Sequence, residues 1–384
     1  MYKNKIVSSI EGSASAALME KVTEMKKAEI DVIGLAGGEP DFDTPDKIRF
    51  RGIQALCEGK THYAIGRGIP ELRQKICEKF KEDNNIISDP EQIIVTPGGK
   101  FAAYLAVRSV INPGDEVLIL DPSWVSYAPM IKAANGVPVS VNLTFADNYM
   151  ITEEKLAEAY SRKTKLLIVN TPNNPTGRVL TEDEAQAIIS FVKKYDVLVF
   201  SDEIYEKIIF DNRSHISLGS YPEIADKVIT MNGLSKCVAM TGWRLGYLTA
   251  PKELITTMSK LYAHTISCVS PFIQEAAIVA LDCKKEMEEM RLAYEKRRNL
   301  FINGLNSIPN VTAKMPEGAF YAWVKFEKEK MNSFQLADYL LKEAKVAGVP
   351  GDAYGKGGDQ CIRFSFASDL NSLLEAVERI RKVV

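Results

Sequence analysis

Five short runs of aliphatic and β-branched residues alternate with amphipathic segments between residues 93 and 230, and this alternation constrains the fold most. The runs occupy residues 93–95, 117–120, 166–169, 197–200 and 228–230. Strands without polar positions are typical of a sheet buried on both faces. The segment 181–194 between two runs opens on Thr181-Glu182-Asp183-Glu184, a helix-capping pattern. We therefore expect an α/β fold, with a mostly parallel sheet sandwiched by helices.

The pattern changes beyond this region and predicts a second, smaller unit. A stretch rich in Glu, Lys and Arg at 271–308 has helical spacing and is expected to connect the two units. Strand-like segments at 318–326 and 361–366 and helical segments at 333–347 and from 371 onward then predict a small α+β domain. The predicted divisions are an N-terminal segment (1–43) packing with the small domain, a large domain (44–290) and the small domain (291–384). A chain of 384 residues, 46% hydrophobic, is long enough for this arrangement.

Composition argues against several classes of partner. The 48 basic and 50 acidic residues leave a formal charge of -2, so no global field would attract nucleic acid or an anionic membrane. The six cysteines contain no Cys-x-x-Cys pair, and the three histidines lie far apart, which disfavours a metal centre and suggests reduced thiols. Neither a signal-peptide core nor a membrane-length apolar run is present. We expect a cytoplasmic protein with no metal, nucleic-acid or membrane partner.

A lysine follows the last of the five runs, in Asn232-Gly233-Leu234-Ser235-Lys236, and Arg244 lies eight positions further on. Open α/β sheets bind ligands at the carboxyl ends of their strands, so Lys236 is well placed to act as a nucleophile that forms an imine. A lysine in such a place is otherwise most often a solvated surface residue.

An acidic residue ends another apolar run, in Ser201-Asp202-Glu203-Ile204-Tyr205. Asp202 would be poorly solvated there unless a buried cation, such as a protonated pyridine nitrogen, were its partner. A helix N-cap explains Asp202 equally well, and Tyr205 is equally compatible with the core.

Two loops complete the set of informative segments. Asn173-Asn174-Pro175-Thr176-Gly177 lies in a conformationally restricted turn after a strand-like run. Thr96-Pro97-Gly98-Gly99-Lys100 carries a strand into a helix, an arrangement that can direct free backbone N–H groups at a phosphate. Each of them taken alone is also an ordinary turn.

Taken together, and in their order along the chain, the four segments resemble the fold type I, class I pyridoxal-phosphate (PLP) dependent aminotransferases, over nearly the whole chain. The most specific elements are Asn-Asn-Pro-Thr-Gly, Ser-Asp-Glu-Ile-Tyr, and Ser-Lys with the following Met-Thr-Gly-Trp-Arg-Leu-Gly-Tyr. The subgroup that the chain resembles most is the bacterial aspartate aminotransferases. The resemblance implies the PLP-dependent transferase fold and the cofactor pyridoxal 5'-phosphate.

The resemblance also implies a role for each matching residue in holding the cofactor. Lys236 is expected to bind it as an imine (aldimine), and Asp202 to pair with its pyridine nitrogen. The remaining expected contacts are Asn174 and Tyr205 on the phenolic oxygen, Trp124 stacked on the ring, and Ser235, Arg244 and the backbone of Gly99 and Lys100 on the phosphate. Tyr63 matches a tyrosine that reaches the phosphate of a neighbouring subunit, which implies a homodimer.

The implied reaction moves an amino group from an L-amino acid to a 2-oxo acid in a ping-pong cycle. Gly38 and Arg363, together with Trp124 and Asn174, match the residues around the substrate α-carboxylate, where the planar fork of arginine suits two parallel hydrogen bonds. In the subgroup, a lysine and two small hydroxyl residues contact a distal carboxylate. Lys100, Ser13 and Ser15 match them, so aspartate and glutamate are the expected amino donors. Glu11 stands where some relatives have a lysine for prephenate, an activity not expected here.

Other functions share many of these features. A PLP-dependent carbon–sulfur β-lyase would use the same cofactor contacts, and an aromatic or alanine aminotransferase would differ only in its donor. Lys100 could also be a solvated lysine, with Ser13 and Ser15 in a flexible segment. A non-catalytic regulator would need an added DNA-binding module, for which the residues before position 34 are too few.

Overall fold

The computed structural model describes residues 3–327 and 331–384. Its strands fall into a seven-stranded sheet, a four-stranded sheet and a two-stranded pair. In chain order they are β1 (Ile33–Gly34), β2 (Ile93–Thr96), β3 (Glu116–Asp121), β4 (Val137–Asn142), β5 (Thr164–Asn170), β6 (Leu198–Asp202), β7 (Val228–Gly233), β8 (Gly246–Thr249), β9 (Val311–Ala313), β10 (Tyr321–Phe326), β11 (Val346–Ala347), β12 (Val349–Pro350) and β13 (Cys361–Ser365).

The helices surround these sheets. In chain order they are α1 (Lys5–Ser8), α2 (Ala14–Lys27), α3 (Asp46–Cys57), α4 (Pro70–Asn84), α5 (Gly99–Val110), α6 (Tyr127–Ala133), α7 (Glu153–Ala159), α8 (Glu182–Tyr195), α9 (Lys252–Thr265), α10 (Pro271–Leu281), α11 (Lys284–Asn306), α12 (Ser333–Tyr339) and α13 (Leu370–Arg381). Among the described residues, no helix is both long and apolar enough to cross a membrane.

The seven-stranded sheet confirms the predicted α/β class. Its order is β2-β8-β7-β6-β5-β3-β4, and β8 alone among these seven runs against the others. Within β5, Leu166 and Ile168 pack into the hydrophobic cluster on one face, whereas Leu167 and Val169 pack into the cluster on the other. Helices therefore cover both faces, and each fully buried Leu or Ile contributes about 1.5–3 kcal/mol.

All five predicted apolar runs form strands of this sheet, but two of its strands were not predicted. β4 lies at the sheet edge and mixes exposed with partly buried positions, so it lacks the uninterrupted apolar character of the others. β8 is only four residues long and begins with Gly246. The predicted helix at 181–194 is confirmed as α8, and Thr181 and Glu184 form its capping box.

The helical stretch predicted at 271–308 is helical in the structure, but it is interrupted. The structure has two helices there, α10 and α11, separated at Asp282 and Cys283. α10 packs against α3 and contributes Ala276 and Ala277 to a hydrophobic cluster of the large sheet, so it stays with that sheet instead of leaving it. Because 282–283 contains neither glycine nor proline, the helical pattern in the sequence gives no sign of the break.

The four-stranded sheet is antiparallel, in the order β12-β13-β10-β9. α11 and α13 pack on it through a shared cluster that includes Phe301 and Ile380. In the N-terminal segment, β1 pairs in parallel with β11. Residue 290 lies inside the continuous helix α11, and residues 1, 2 and 328–330 lie outside the described part, so the domain boundaries at 43 and 290 stay a prediction.

Candidate active site

A cavity of about 310 Å³ lies at the carboxyl ends of β5, β6 and β7, where ligands bind in sheets of this class. It brings together residues that are far apart in sequence. The predicted site residues that line it are Ser15, Gly38, Gly99, Lys100, Trp124, Asn174, Asp202, Tyr205, Ser235, Lys236, Arg244 and Arg363. Ser13 and Tyr63 do not line it.

Lys236 projects into this cavity from the loop that follows β7. Its ammonium Nζ donates a hydrogen bond to the carbonyl oxygen of Gly38 at 2.5 Å. Burial lowers the pKa of Lys236 to about 8, and the positive charges of Arg244 and Arg363 act in the same direction. A substantial fraction of this amine is therefore neutral near pH 8, the state in which an amine acts as a nucleophile.

Asp202 is the last residue of β6 and only 3% exposed. The hydroxyl of Tyr127 donates to its Oδ2 at 2.6 Å, and the backbone N–H of Ile204 donates to its Oδ1 at 3.2 Å. Burial raises the pKa of Asp202 to about 6, although both hydrogen bonds act against that rise. In the described chain a turn follows Asp202, not a helix, so the helix-cap interpretation is wrong.

Two tyrosines that sequence reasoning missed hold these groups in place. Tyr127, at the start of α6, donates a hydrogen bond to Asp202. Its ring packs edge-on against Trp124, with 5.3 Å between the ring centroids. The hydroxyl of Tyr321, in β10, lies 2.7 Å from that of Tyr205. The two tyrosines lie 75 and 116 residues from their partners in the sequence, so no local pattern signals these contacts.

Arg363 approaches the cavity from β13 and is only 3% exposed. Its guanidinium donates to Asn174 Oδ1 at 3.2 Å and to the carbonyl oxygen of Ala36 at 2.6 Å, and it lies 4.3 Å from the centroid of the Tyr321 ring. Its Nε has no hydrogen-bond partner. A buried guanidinium with an unused donor is suited to an anionic ligand such as a carboxylate.

The glycine at position 38 is explained by the same contacts. A Cβ atom on Gly38 would lie 3.1 Å from the Tyr321 hydroxyl, tighter than ordinary van der Waals contact. Gly38 thus allows the backbone to pass close to Tyr321 while its carbonyl faces Lys236.

Another part of the cavity lining is suited to a phosphate. The first N–H groups of α5 have no partner within the helix, and the positive end of the helix dipole points the same way. Arg244 and the buried Ser235 line this part of the cavity. Gly98 precedes the helix with φ +84°, and a Cβ there would lie 2.5 Å from Arg244 Nη2. A cation, a hydroxyl and a helix N-terminus together form an anion-binding cradle.

Lys100, Ser13 and Ser15 are the residues predicted to contact a distal carboxylate. Lys100 Nζ lies 5.2 Å from the centroid of the Trp124 ring, and both burial and Arg244 lower the pKa of Lys100. Ser15 lines the cavity, in the first turn of α2. Ser13 instead caps that helix, with its hydroxyl 3.1 Å from that of Ser15. Ser13 therefore adjoins the cavity-lining Ser15 without lining the cavity itself.

Comparisons with known proteins agree with this arrangement. Residues 30–380 match the family model described as aminotransferase class I and II. An aspartate aminotransferase of Geobacillus stearothermophilus is 40% identical, with 98% of each chain covered. An aromatic-amino-acid aminotransferase of Thermococcus litoralis is 39% identical, with 95% of each covered. The solved structure of an aspartate aminotransferase from Thermus thermophilus with maleate is 35% identical in sequence, with 100% of each chain covered and a TM-score of 0.96. The chain therefore belongs to the class I and II aminotransferase family.

Proposed function

We propose that this aminotransferase uses pyridoxal 5'-phosphate to move the amino group of aspartate, and of glutamate, to a 2-oxo acid. The observation that carries the proposal is the single cavity in which a buried amine, a buried carboxylate and two cationic side chains meet. These are Lys236, Asp202, Arg363 and Lys100. The family implies the cofactor, and the charges around the cavity favour a substrate with two carboxylates.

The residues present fit this cofactor. Asp202 is a buried carboxylate whose hydrogen bonds come from neutral donors, so a protonated pyridine nitrogen would supply the cation that a buried anion needs. The cradle formed by Ser235, Arg244 and the first turn of α5 is suited to the phosphate. Asn174 and Tyr205 would face the phenolic oxygen, and Trp124 the ring.

When bound, the cofactor would supply an electron sink for the pair of electrons left when the substrate α-carbon loses its proton. Asp202 would keep that sink charged, because its carboxylate favours the protonated pyridine nitrogen. Lys236 would take the proton from the α-carbon at its Nζ and later return it, as general base and then general acid. The lowered pKa of Lys236 suits both directions of transfer.

Arg363 would bind the α-carboxylate of the substrate, assisted by Asn174 and the backbone of Gly38. Its unpartnered Nε supports this role. Lys100 would meet a second carboxylate at the other end of the substrate, with Ser15 alongside and Ser13 acting through Ser15. The Thermus thermophilus relative was solved with maleate, which is a dicarboxylate and so supports this assignment.

The charge of Lys100 argues against a donor without a distal carboxylate, and the relatives argue against a lyase. An aromatic donor, as the name of the Thermococcus litoralis relative suggests for that enzyme, carries no distal charge to pair with an ammonium group. A carbon–sulfur β-lyase would use the same cofactor contacts, but the relatives named above are aminotransferases. Aspartate should consequently be a better donor than alanine or phenylalanine.

The Lys100→Ala variant is expected to lower kcat/KM for aspartate by about tenfold to a hundredfold, because a charge-assisted contact contributes about 1.5–3 kcal/mol. The value for alanine should barely change, since alanine has no distal carboxylate. Steady-state assays with 2-oxoglutarate as acceptor measure both. Equal losses for the two donors would show that Lys100 serves the cofactor or the fold instead.

We also propose that the enzyme is a homodimer in which Tyr63 reaches the partner's cavity. Tyr63 is 90% exposed, and Phe50 and Ile53 on α3 are exposed large apolar side chains in the same part of the chain. Large exposed apolar side chains in one region are typical of a protein interface. Sedimentation velocity should give the mass of two chains; the mass of a single chain would contradict the proposal.

A cytoplasmic location completes the proposal. All six cysteines are free thiols, as expected in a reducing compartment. The near balance of charge supports small-molecule substrates, with no nucleic acid or membrane as partner.

A further inference from the structure

The turn after β6 presents side chains to two different regions. It spans residues 203–206 and is closed by a hydrogen bond of 3.0 Å from the Glu206 N–H to the Glu203 carbonyl oxygen. Asp202 and Tyr205 line the cavity, whereas neither Glu203 nor Glu206 is among its lining residues. The reaction proposed above uses neither glutamate, although both are buried.

Both glutamates enter one buried polar network. Glu203 is 0% exposed and accepts hydrogen bonds of 2.8 Å from both Ser201 and Ser217 at Oε1. Its Oε2 is 2.8 Å from His215 Nε2. Glu206 pairs with the ammonium of Lys79.

Asn84, the last residue of α4, joins the two halves of this network. Its Nδ2 donates to Glu203 Oε2 at 2.9 Å and to Glu206 Oε2 at 2.7 Å. Its Oδ1 accepts a hydrogen bond of 2.6 Å from Lys79. The amide of Asn84 thus donates two hydrogen bonds, one to each glutamate, and accepts one from Lys79. Neither a carboxylate nor a hydroxyl can form this combination of bonds.

The bridge also lies between like charges. Burial raises the pKa of Glu206, but Lys79 and other nearby positive groups outweigh it and hold the pKa at about 2, so the carboxylate stays ionised near neutral pH. Two buried carboxylates on one tight turn repel each other unless donors lie between them. The ligand atoms of Glu203, Glu206 and His215 lie within 4.8 Å of one another, as in a metal site. Lys79 and Asn84 already donate hydrogen bonds to the two glutamates, so we interpret the cluster as a structural network and not as a metal site.

The network also borders the loop that bears Lys236. A small cavity of about 20 Å³ is lined by Glu206 and Lys79 together with Asn232 and Cys237, which flank that loop. A shift of Glu206 would therefore displace the turn that carries Asp202 and Tyr205, and it would also change the packing beside Lys236.

We propose that Asn84 is a positioning residue, whose amide bridge between Glu203 and Glu206 fixes the turn so that Asp202 and Tyr205 face the cofactor correctly. The inference rests on the proposed function, because it assigns the turn a task in that reaction. Asn84 acts through the turn and touches neither substrate nor cofactor. A displacement of about 1 Å at reacting groups can cost about a hundredfold in rate.

The Asn84→Asp variant tests this, since it keeps the shape of the side chain but replaces both donors with a third carboxylate. Asn85→Asp is the matched control, because Asn85 is the neighbouring residue and is exposed. In the cofactor-loaded enzyme, the single-turnover rate with aspartate should fall at least about tenfold for Asn84→Asp, with less than about a threefold change in half-saturating aspartate. The visible circular dichroism of the bound cofactor should change as well. Asn85→Asp should match the wild type in all three.

A lowered melting temperature with unchanged rate and circular dichroism would overturn the inference, because the network would then serve stability alone. Asn84→Ala removes the bridge without adding charge and decides the matter if Asn84→Asp does not fold. Failure of both to fold, with Asn85→Asp folded, would also overturn it, since the bridge would then be a folding requirement. A wild-type enzyme that transfers no amino group from aspartate would refute the proposed function, whereas the circular dichroism comparison would still test the positioning role.

Discussion

The Lys236→Ala variant is expected to lose steady-state amino transfer altogether, together with the visible absorbance of lysine-bound cofactor. Lys236 would have two tasks, the covalent attachment and the movement of the α-proton, and general acid–base catalysis alone contributes about 10²–10⁴ in rate. Lys100 is the other lysine that lines the cavity in the described chain, and its ammonium lies over Trp124. Turnover with aspartate and 2-oxoglutarate measures the loss, and near-normal turnover would refute the assignment.

The Lys236→Arg variant distinguishes the chemical role of Lys236 as nucleophile and base from the role of its positive charge. An arginine keeps a positive group near Gly38, but it cannot be deprotonated in a protein and so can act neither as nucleophile nor as base. It should be as inactive as the alanine variant. Substantial activity in Lys236→Arg would indicate that position 236 matters mainly through its charge.

The Asp202→Ala variant should slow the chemical step by about a hundredfold to a thousandfold, a typical loss when a fixed group that stabilises developing charge is removed. Without this carboxylate, the pyridine nitrogen would be largely unprotonated. The cofactor should still bind, because the cradle of Ser235, Arg244 and the α5 N-terminus is untouched. Single-turnover kinetics with aspartate measure the step, and cofactor absorbance measures occupancy.

Tyr127→Phe is the matched control for Asp202. It removes one hydrogen bond to Oδ2 and leaves the carboxylate, so a loss of about tenfold or less is expected for a bond of about 1 kcal/mol. An unchanged single-turnover rate in Asp202→Ala would show that this buried carboxylate merely stabilises the turn after β6.

Local patterns predicted the elements that depend on local chemistry. The strand β6 and the capped helix α8 follow from a short apolar run and from Thr181 with Glu184, because strand burial and helix capping involve neighbouring residues. The break between α10 and α11 was missed because a helical pattern continues across residues 282–283.

In the active site, too, only the features that depend on local sequence could be predicted. The placement of Lys236 and Asp202 at strand ends could be inferred from the sequence, whereas the expected roles came from the family resemblance. The bonds of Tyr127 to Asp202 and of Tyr205 to Tyr321 depend on how distant elements pack. Ser13 caps α2, a role that short hydroxyl side chains commonly take, and its contact to the substrate stays a prediction.

Nitrogen tracing would show whether the enzyme transfers the amino group of aspartate or releases it as ammonia. The purified enzyme would receive [¹⁵N]aspartate and 2-oxoglutarate, and the products would be followed by mass spectrometry. We expect ¹⁵N-labelled glutamate in one-to-one ratio with oxaloacetate and no labelled ammonia. Absence of labelled glutamate would show that the enzyme is not an aspartate aminotransferase. A parallel reaction with cystathionine alone that released homocysteine, pyruvate and ammonia would then identify a β-lyase.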